Sequence, residues 1–373
     1  MPAAESDICR VLARVLGIDP GRALDPVPVD DPRISSAMNF GIKLLNFGIT
    51  VLNFGIKVWW TEMPCSYQLL RQFQFMGMID GMNRGQFGIW TPEFEAQQAS
   101  MTRESVQELD GLGWQAVWIP EWDGGREALA HAGFLLSCTE HITVVNGIAR
   151  IWSRAARSTQ GGAALLADAY PGRHLLGLGF GAERPGTKPL PAMREYLDEM
   201  DAMASADFLP RAPVRRLLAA YGPKMLEMAR DRAEGAHTYL VPVRHTAQTR
   251  QVLGDGPFLG VEHGVLFESD PEKARSIARE HLHMYFTSKY NIDKFLRLGY
   301  TEADIDGGRG SDRLVDDLVV WGDIDTIVRK LHGQLDAGAD HVAIQVLGVE
   351  PGTSAMPHWR QLAEALLPQR ATA

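Results

Sequence analysis

The chain has 373 residues, with 37 Lys plus Arg against 46 Asp plus Glu, a formal net charge of -9 and a pI near 5.7. That balance argues against nucleic-acid binding through a general basic field, and the length allows one large domain or two ordinary ones. Its 3 cysteines, Cys9, Cys65 and Cys138, lie far apart without a CxxC pair. Neither a disulfide framework nor a zinc ribbon fits that pattern, so the expectation is a reduced, cytoplasmic protein with no metal site.

Met1 to Leu24 lacks a basic start followed by an apolar run, so no signal peptide is expected. "DPGRALDPVPVDDP" is rich in Pro and Asp and reads as loop or disorder. "MNFGIKLLNFGITVLNFGIKVWW" repeats Asn-Phe-Gly-Ile from Asn39, Asn46 and Asn53. A coiled coil would need apolar a and d positions in good helix formers, whereas each unit carries a glycine beside β-branched residues. A membrane span is the sharper alternative on length, but Lys43, Lys57 and the asparagines argue against it. The preferred reading is an irregular N-terminal extension over 1–81 with no catalytic role, followed by one domain over 82–370 that begins in earnest near Gln86.

From there the pattern alternates short apolar runs with helical stretches. "QFGIW" is a strand, and Glu95 to Leu112 a helix closed by Gly113. "AVWIP" precedes a helix over Arg126 to Cys138, and "ITVVNGIARIW" precedes one over Thr159 to Tyr170, stopped by Pro171-Gly172. "HLLGLGFG" leads into a helix through "AMREYLDEMDAM", and "VRRLLAAYG" into one from Pro223 to Ala233. "HTYLVPV", "PFLGVEHGVLFE" and "HVAIQVLG" supply the last strands. Eight continuous apolar strands with intervening helices predict a (β/α)8 TIM barrel. Pro271 to Trp321 is too long for one crossover, so it reads as a helical insertion between the seventh and eighth strands, suited to a lid or an oligomer contact. A doubly wound sheet is the rival; it wants a Gly-rich phosphate loop after the first strand, and "GIWTPEFEAQQ" has none.

In such a barrel the chemistry sits at the C-terminal strand ends. "YGPKML" is the best anion candidate: Gly222 allows a tight turn, Pro223 suits the first helical position, and Lys224 adds charge beside free amides. An ordinary turn with a solvated lysine is the equal alternative. Gly177, Gly179 and Gly181 alternate, which suits either ligand approach or packing under a helix. Glu121, beside Trp122, is the candidate general acid or base, with a salt-bridged structural carboxylate as competitor. His245 and His263 lie near strand ends and are candidates to face the pocket. His281 and His283 are spaced i, i+2 and do not share a helix face, so they make no metal site. "GRGSDRL" lacks GxSxG, and no serine hydrolase is supported.

Asn146-Gly147 is the oddest feature, because a glycine inside an apolar strand marks a bulge, a kink or a close backbone approach. Together with "GWQAVWIPE", "REALAHAGFLLS", "VVNGIARIW", "YPGRHLLGLGFG", "AAYGPKMLEMARDRAEGAHTYLVP", "GSDRLVDDLVVWGD" and "DAGADHVAIQVL", it makes Gln86 to Leu347 resemble the bacterial-luciferase-like oxidoreductases. The similarity is greatest to their branch using the deazaflavin coenzyme F420. The resemblance implies a barrel whose third strand carries a non-proline cis peptide supporting the cofactor ring, placed here at Gly147 with Asn146 or Ile148. It implies that the cofactor's ribityl-phosphate tail lies against Gly179, Gly222, Pro223 and Lys224. Arg150, Arg154 and Arg157 are placed to meet the tail's anionic groups or to brace a helix. Relatives often end strand two with an acidic residue and a catalytic histidine; here the pair is Glu121-Trp122, and tryptophan transfers no proton at neutral pH.

The expected activity is hydride transfer between coenzyme F420 and a small organic substrate, with Trp118, Trp122 and Trp152 as an apolar wall. An FMN-dependent monooxygenase is the alternative, and a cofactor-binding protein without activity the second alternative. The expected assembly is a homodimer, with neither nucleic acid nor membrane as partner.

Overall fold

The computed structural model describes residues 85–368 apart from 182, 183, 185, 205–212 and 351. The Asn-Phe-Gly-Ile repeats and the rest of the expected extension lie outside the described residues.

The strands are β1 (Phe87–Trp90), β2 (Ala116–Ile119), β3 (Thr143–Asn146), β4 (Ala149–Arg150), β5 (His174–Gly179), β6 (Arg216–Ala219), β7 (Gly235–Thr238), β8 (Phe258–Leu266), β9 (Val319–Trp321) and β10 (His341–Val346). All pair in parallel, in the order β10-β1-β2-β3-β5-β6-β7-β8, and β8 closes onto β10. With β3 and β4 counted as one interrupted stave, this is the expected eight-stranded barrel. The main helices are α1 (Glu93–Ala96), α2 (Ala99–Leu112), α3 (Ala128–Ser137), α4 (Ala156–Ala169), α5 (Pro189–Ala204), α6 (Pro223–Arg232) and α7 (Val243–Leu253). They continue with α8 (Pro271–Phe286), α9 (Lys289–Arg297), α10 (Glu302–Ile305), α11 (Asp312–Leu318), α12 (Ile324–Asp336) and α13 (Met356–Leu366).

Period-two alternation sorts the staves into two faces. Ile89, Val117 and Val144 pack outward with Leu109, Leu135 and Trp359 of the helices. Trp90, Ala116, Trp118, Val145, Leu175, Leu217 and Ala343 fill the barrel. Each large side chain so buried contributes roughly 1.5–3 kcal/mol. Helix ends follow local chemistry. Gly113, at φ 94, closes α2, and Asp270 caps α8 by accepting from the Glu272 and Lys273 amides.

The two largest departures from the expected boundaries are these. The predicted helix over Glu95 to Leu112 is broken, α1 ending before α2 begins. The stave read from "HTYLVPV" runs over Gly235–Thr238 instead; Leu240 turns left-handed at φ 51, and Pro242 caps α7. The insertion lies where expected: α8 to α11 pack around Leu282, Phe286, Phe295 and Leu318, with β9 alongside β8. Among the described residues no helix is long and apolar enough to cross a membrane.

Candidate functional site at the barrel mouth

The third stave breaks where the sequence places glycine. β3 follows β2 as far as the pair Ile119–Asn146, and the chain resumes as β4, with Arg150 opposite Gly179 of β5. Between them the Gly147–Ile148 peptide is cis. Its surroundings are built for it: the Gly147 N–H donates to Ile119 O at 2.7 Å, and the Trp90 indole N–H donates to Gly147 O at 3.0 Å. A side chain at Gly177 would meet Asn146 O at 2.0 Å, and one at Gly179 would meet Ile148 at 2.8 Å. The alternating glycines of β5 are therefore the space into which the broken stave fits.

Asn146 supports this geometry from behind. Its amide donates to Ala128 O in α3 at 3.1 Å, and its Oδ1 meets His174 Nε2 at 3.0 Å. Burial lowers the His174 pKa to about 4, so that imidazole is neutral and donates.

Glu121, expected as the acid, is an anchor in this geometry. One carboxylate oxygen accepts the Arg150 amide at 2.6 Å and the other takes the Arg154 guanidinium. Both side chains are nearly buried, and Arg154 reaches a second carboxylate, Glu127, at 2.7 Å. Both carboxylate oxygens are thus engaged, one by a backbone donor and one by a guanidinium, which is the arrangement of a structural anchor. Arg150 continues to Asp123 at 3.4 Å, whereas Arg157 is exposed in the first turn of α4.

The rim beside β4 is rich in donors. Arg150 Nε, Arg154 Nη1 and Trp152 Nε1 are buried without a hydrogen-bond partner among the described residues. Gly181, at φ 68, lets the chain pass Arg150, whose Nε lies 2.8 Å from where a Cβ would stand. One rim further on, Gly222 caps α6 with open space around it, and Pro223 and Lys224 are exposed. The three expected tryptophans do not form one wall: Trp118 is inside the barrel, Trp122 is 52% exposed, and Trp152 packs on Phe180.

Two layers fill the barrel axis. In the lower one, Trp118 Nε1 donates to His341 Nε2 at 3.0 Å, and His341 Nδ1 donates to Gly85 O at 2.8 Å. His237 packs on Trp118 with ring centres 4.6 Å apart and tilted by 31°, and its pKa is lowered to about 4 by burial. The upper layer was not read from the sequence. Tyr239, just past β7, packs on Trp90 at 5.3 Å; its hydroxyl donates to Gln345 of β10 at 3.1 Å and meets Tyr285 of α8 at 3.0 Å. Below it, Glu262 of β8 is fully buried; Oε2 accepts the Leu240 amide at 3.0 Å, and Oε1 has no partner among the described residues. Lys294 of α9 is buried too, donating to Tyr239 O at 3.3 Å and Leu240 O at 3.1 Å, with Nζ 4.8 Å from the Tyr221 ring centre. Burial raises the Glu262 pKa to about 8 and lowers that of Lys294 to about 7, each opposed by the other's charge. The left-handed Leu240 is thus held at its N–H by β8 and at its C=O by the insertion.

The histidines expected at the mouth are spent elsewhere. His263 points to α12, where Gln334 Nε2 lies 3.0 Å from its Nδ1. His245 bonds Tyr221 O at 3.2 Å and Thr249 at 3.2 Å.

A family model described as luciferase-like monooxygenase matches residues 82–341. No curated protein sequence matches the chain. Among solved structures, it is similar to the coenzyme F420 dependent tetrahydromethanopterin reductase from Methanopyrus kandleri, at 15% identity and TM-score 0.58, covering 76% of this chain and 98% of that one. It is similar to an F420-dependent secondary alcohol dehydrogenase solved with an F420-acetone adduct, at 15% identity and TM-score 0.56, covering 71% and 94%. It is also similar to the oxygenating constituent of 3,6-diketocamphane monooxygenase from the CAM plasmid of Pseudomonas putida, solved with FMN, at 15% identity and TM-score 0.54, covering 75% and 96%. At that identity the likeness speaks for the shared barrel, and the family model speaks for the class. The chain belongs to the luciferase-like monooxygenase family and is an oxidoreductase of that class.

Proposed function

We propose that the chain is a coenzyme F420-dependent oxidoreductase that transfers a hydride between the deazaflavin and a small organic substrate. The observation that carries this is the arrangement at the third stave: an interrupted strand seated in glycine-made space, flanked on one side by buried donors without a partner among the described residues. Arg150 Nε, Arg154 Nη1 and Trp152 Nε1 are all donors, so an anionic group satisfies them and a neutral apolar one does not. Lys224 and the α6 amides offer a second anion position on a neighbouring rim. Two separated positions suit a tail with both a phosphate and carboxylates.

When bound, the cofactor supplies the hydride chemistry. The chain's own part is to hold and exclude. Trp90 fixes the Gly147 carbonyl, Glu121 fixes the Arg150 amide and Arg154, and the barrel's apolar filling keeps water from below. Reduced FMN with dioxygen is the second reading, favoured by the likeness to the structure solved with FMN and by the fact that one phosphate also suits the Arg150 cluster. We further propose a homodimer, which sedimentation at micromolar concentration tests; a monomer mass overturns it.

A titration with both cofactors decides between the readings. Quenching of deazaflavin fluorescence at low micromolar concentration, with Lys224→Ala weakening it by roughly tenfold, supports the F420 reading. Binding of FMN alone, with oxygen-dependent turnover, overturns it, and unchanged affinity in Lys224→Ala overturns the tail position.

A further inference from the structure

We propose that Tyr239 is the proton-transferring residue of the barrel mouth, with Tyr285 as its hydroxyl partner, and that it faces a substrate carbonyl oxygen or the hydroxyl of the corresponding alcohol. This rests on the hydride-transfer reading above and adds the substrate class and the proton partner to it.

The usual candidates are accounted for. Trp122 stands after Glu121 at the end of strand two, and Glu121 is occupied by the Arg150 amide and Arg154. His237 and His341 lie in the lower layer around Trp118, and His245 and His263 bond structural partners. Tyr239 stands at the C-terminal face, partly exposed, with one residue, Trp90, between its ring and the interrupted stave. Its backbone carbonyl is fixed by Lys294 and its hydroxyl by Gln345, so the oxygen is aimed and not free to wander.

The groups facing this hydroxyl favour a held proton. Glu262 on β8, Tyr221 after β6 and Tyr285 on α8 surround it, with Lys294 on α9 as the cation. Burial raises the Tyr239 pKa well above the ordinary tyrosine value, and Tyr285 is raised for the same cause. A phenol that keeps its proton at neutral pH is a donor to an oxygen becoming anionic. In reduction, a bound reduced deazaflavin would supply the hydride to the carbonyl carbon, whose π pair would move onto oxygen. That oxygen takes the Tyr239 proton, which gives up its bond to Gln345 Oε1, leaving an alcohol and a phenolate. Tyr285, 3.0 Å away, passes its own proton to Tyr239 and is refilled from solvent. The His281 ring lies 5.8 Å from that of Tyr285, and its buried Nε2 has no partner among the described residues. Oxidation of an alcohol runs the same steps backwards.

The test uses the full chain and a probe that needs no cofactor. Dimethylaminocinnamaldehyde absorbs at longer wavelength when its carbonyl oxygen accepts a strong hydrogen bond. The expected result is a red shift with the wild type, lost in Tyr239→Phe and kept in Tyr285→Phe, with equal binding by dialysis. No shift in the wild type, or an unchanged shift in Tyr239→Phe, overturns the proposal. In parallel, oxidation of reduced F420 by cyclohexanone is followed by the return of deazaflavin absorbance. Tyr239→Phe should bind the cofactor normally and lose roughly a hundredfold or more in rate. Retention of the rate overturns the proton role. If the aldehyde shift appears as expected but F420 does not bind, the cofactor reading has failed while the Tyr239 assignment stands.

Discussion

Glu121→Gln separates an anchor from an acid. The wild-type carboxylate accepts the Arg150 amide at 2.6 Å and holds Arg154, with side-chain exposures of only 4% for Glu121 and 11% for Arg154. Glutamine keeps one acceptor oxygen, so the Arg150 bond falls from charge-assisted to neutral strength, a loss of about 1 kcal/mol. Arg154 keeps Glu127, which is half exposed, so its loss is a fraction of the roughly 3–5 kcal/mol of a fully stranded buried charge. Together about 2–4 kcal/mol is expected, read as a lower urea midpoint with unchanged slope and a fall in Tm of roughly 5 °C. Cofactor affinity should fall with it, because Glu121 sets where Arg150 and Arg154 present the donors that have no partner among the described residues. A variant with wild-type stability and cofactor affinity, but with turnover down a hundredfold, would refute the anchoring argument and restore the acid.

The glycines of β5 make a second test. Gly177→Ala sets a methyl against Asn146 O, a backbone atom that cannot rotate away, so the cost should reach or exceed about 3 kcal/mol, the top of the range for overpacking. Gly161→Ala, in open space inside α4, should instead gain about 0.5–1 kcal/mol; equal effects in urea melts would refute the packing account. Glu262 carries a pH signature. Its folded pKa, about 8, lies above the unfolded value of 4.5, so its contribution is fully present below the unfolded value and is lost as pH rises through the folded one. Relative to wild type, Glu262→Gln should therefore become progressively more stable from pH 5 to 8, by at most about 1.4 kcal/mol per pH unit, and level off above; a constant difference across that window would refute it.

The sequence alone carried much of what depends on neighbours along the chain. Continuous apolar runs marked the staves because parallel strands are buried on both faces, and Gly113 marked the end of α2 because capping is a local affair. Gly147 marked the break in the third stave for the same reason, since a glycine spoils a strand wherever it stands. What decides the mouth is not local. Trp90, Tyr239, Glu262, Tyr285, Lys294 and Gln345 come from four staves and two insertion helices, and Tyr239 and Gln345 are 106 positions apart. Nothing in "HTYLVPV" shows that Leu240 turns left-handed and ends the stave early, because Glu262 and Lys294 hold its two polar groups from elsewhere. Glu121 reads as acid or anchor with equal ease until closure of the barrel brings Arg150 and Arg154 onto its two oxygens. Residue type along the chain determined which elements form; which side chains meet was decided by the closure of the barrel, because only there are distant donors, acceptors and buried charges obliged to satisfy one another.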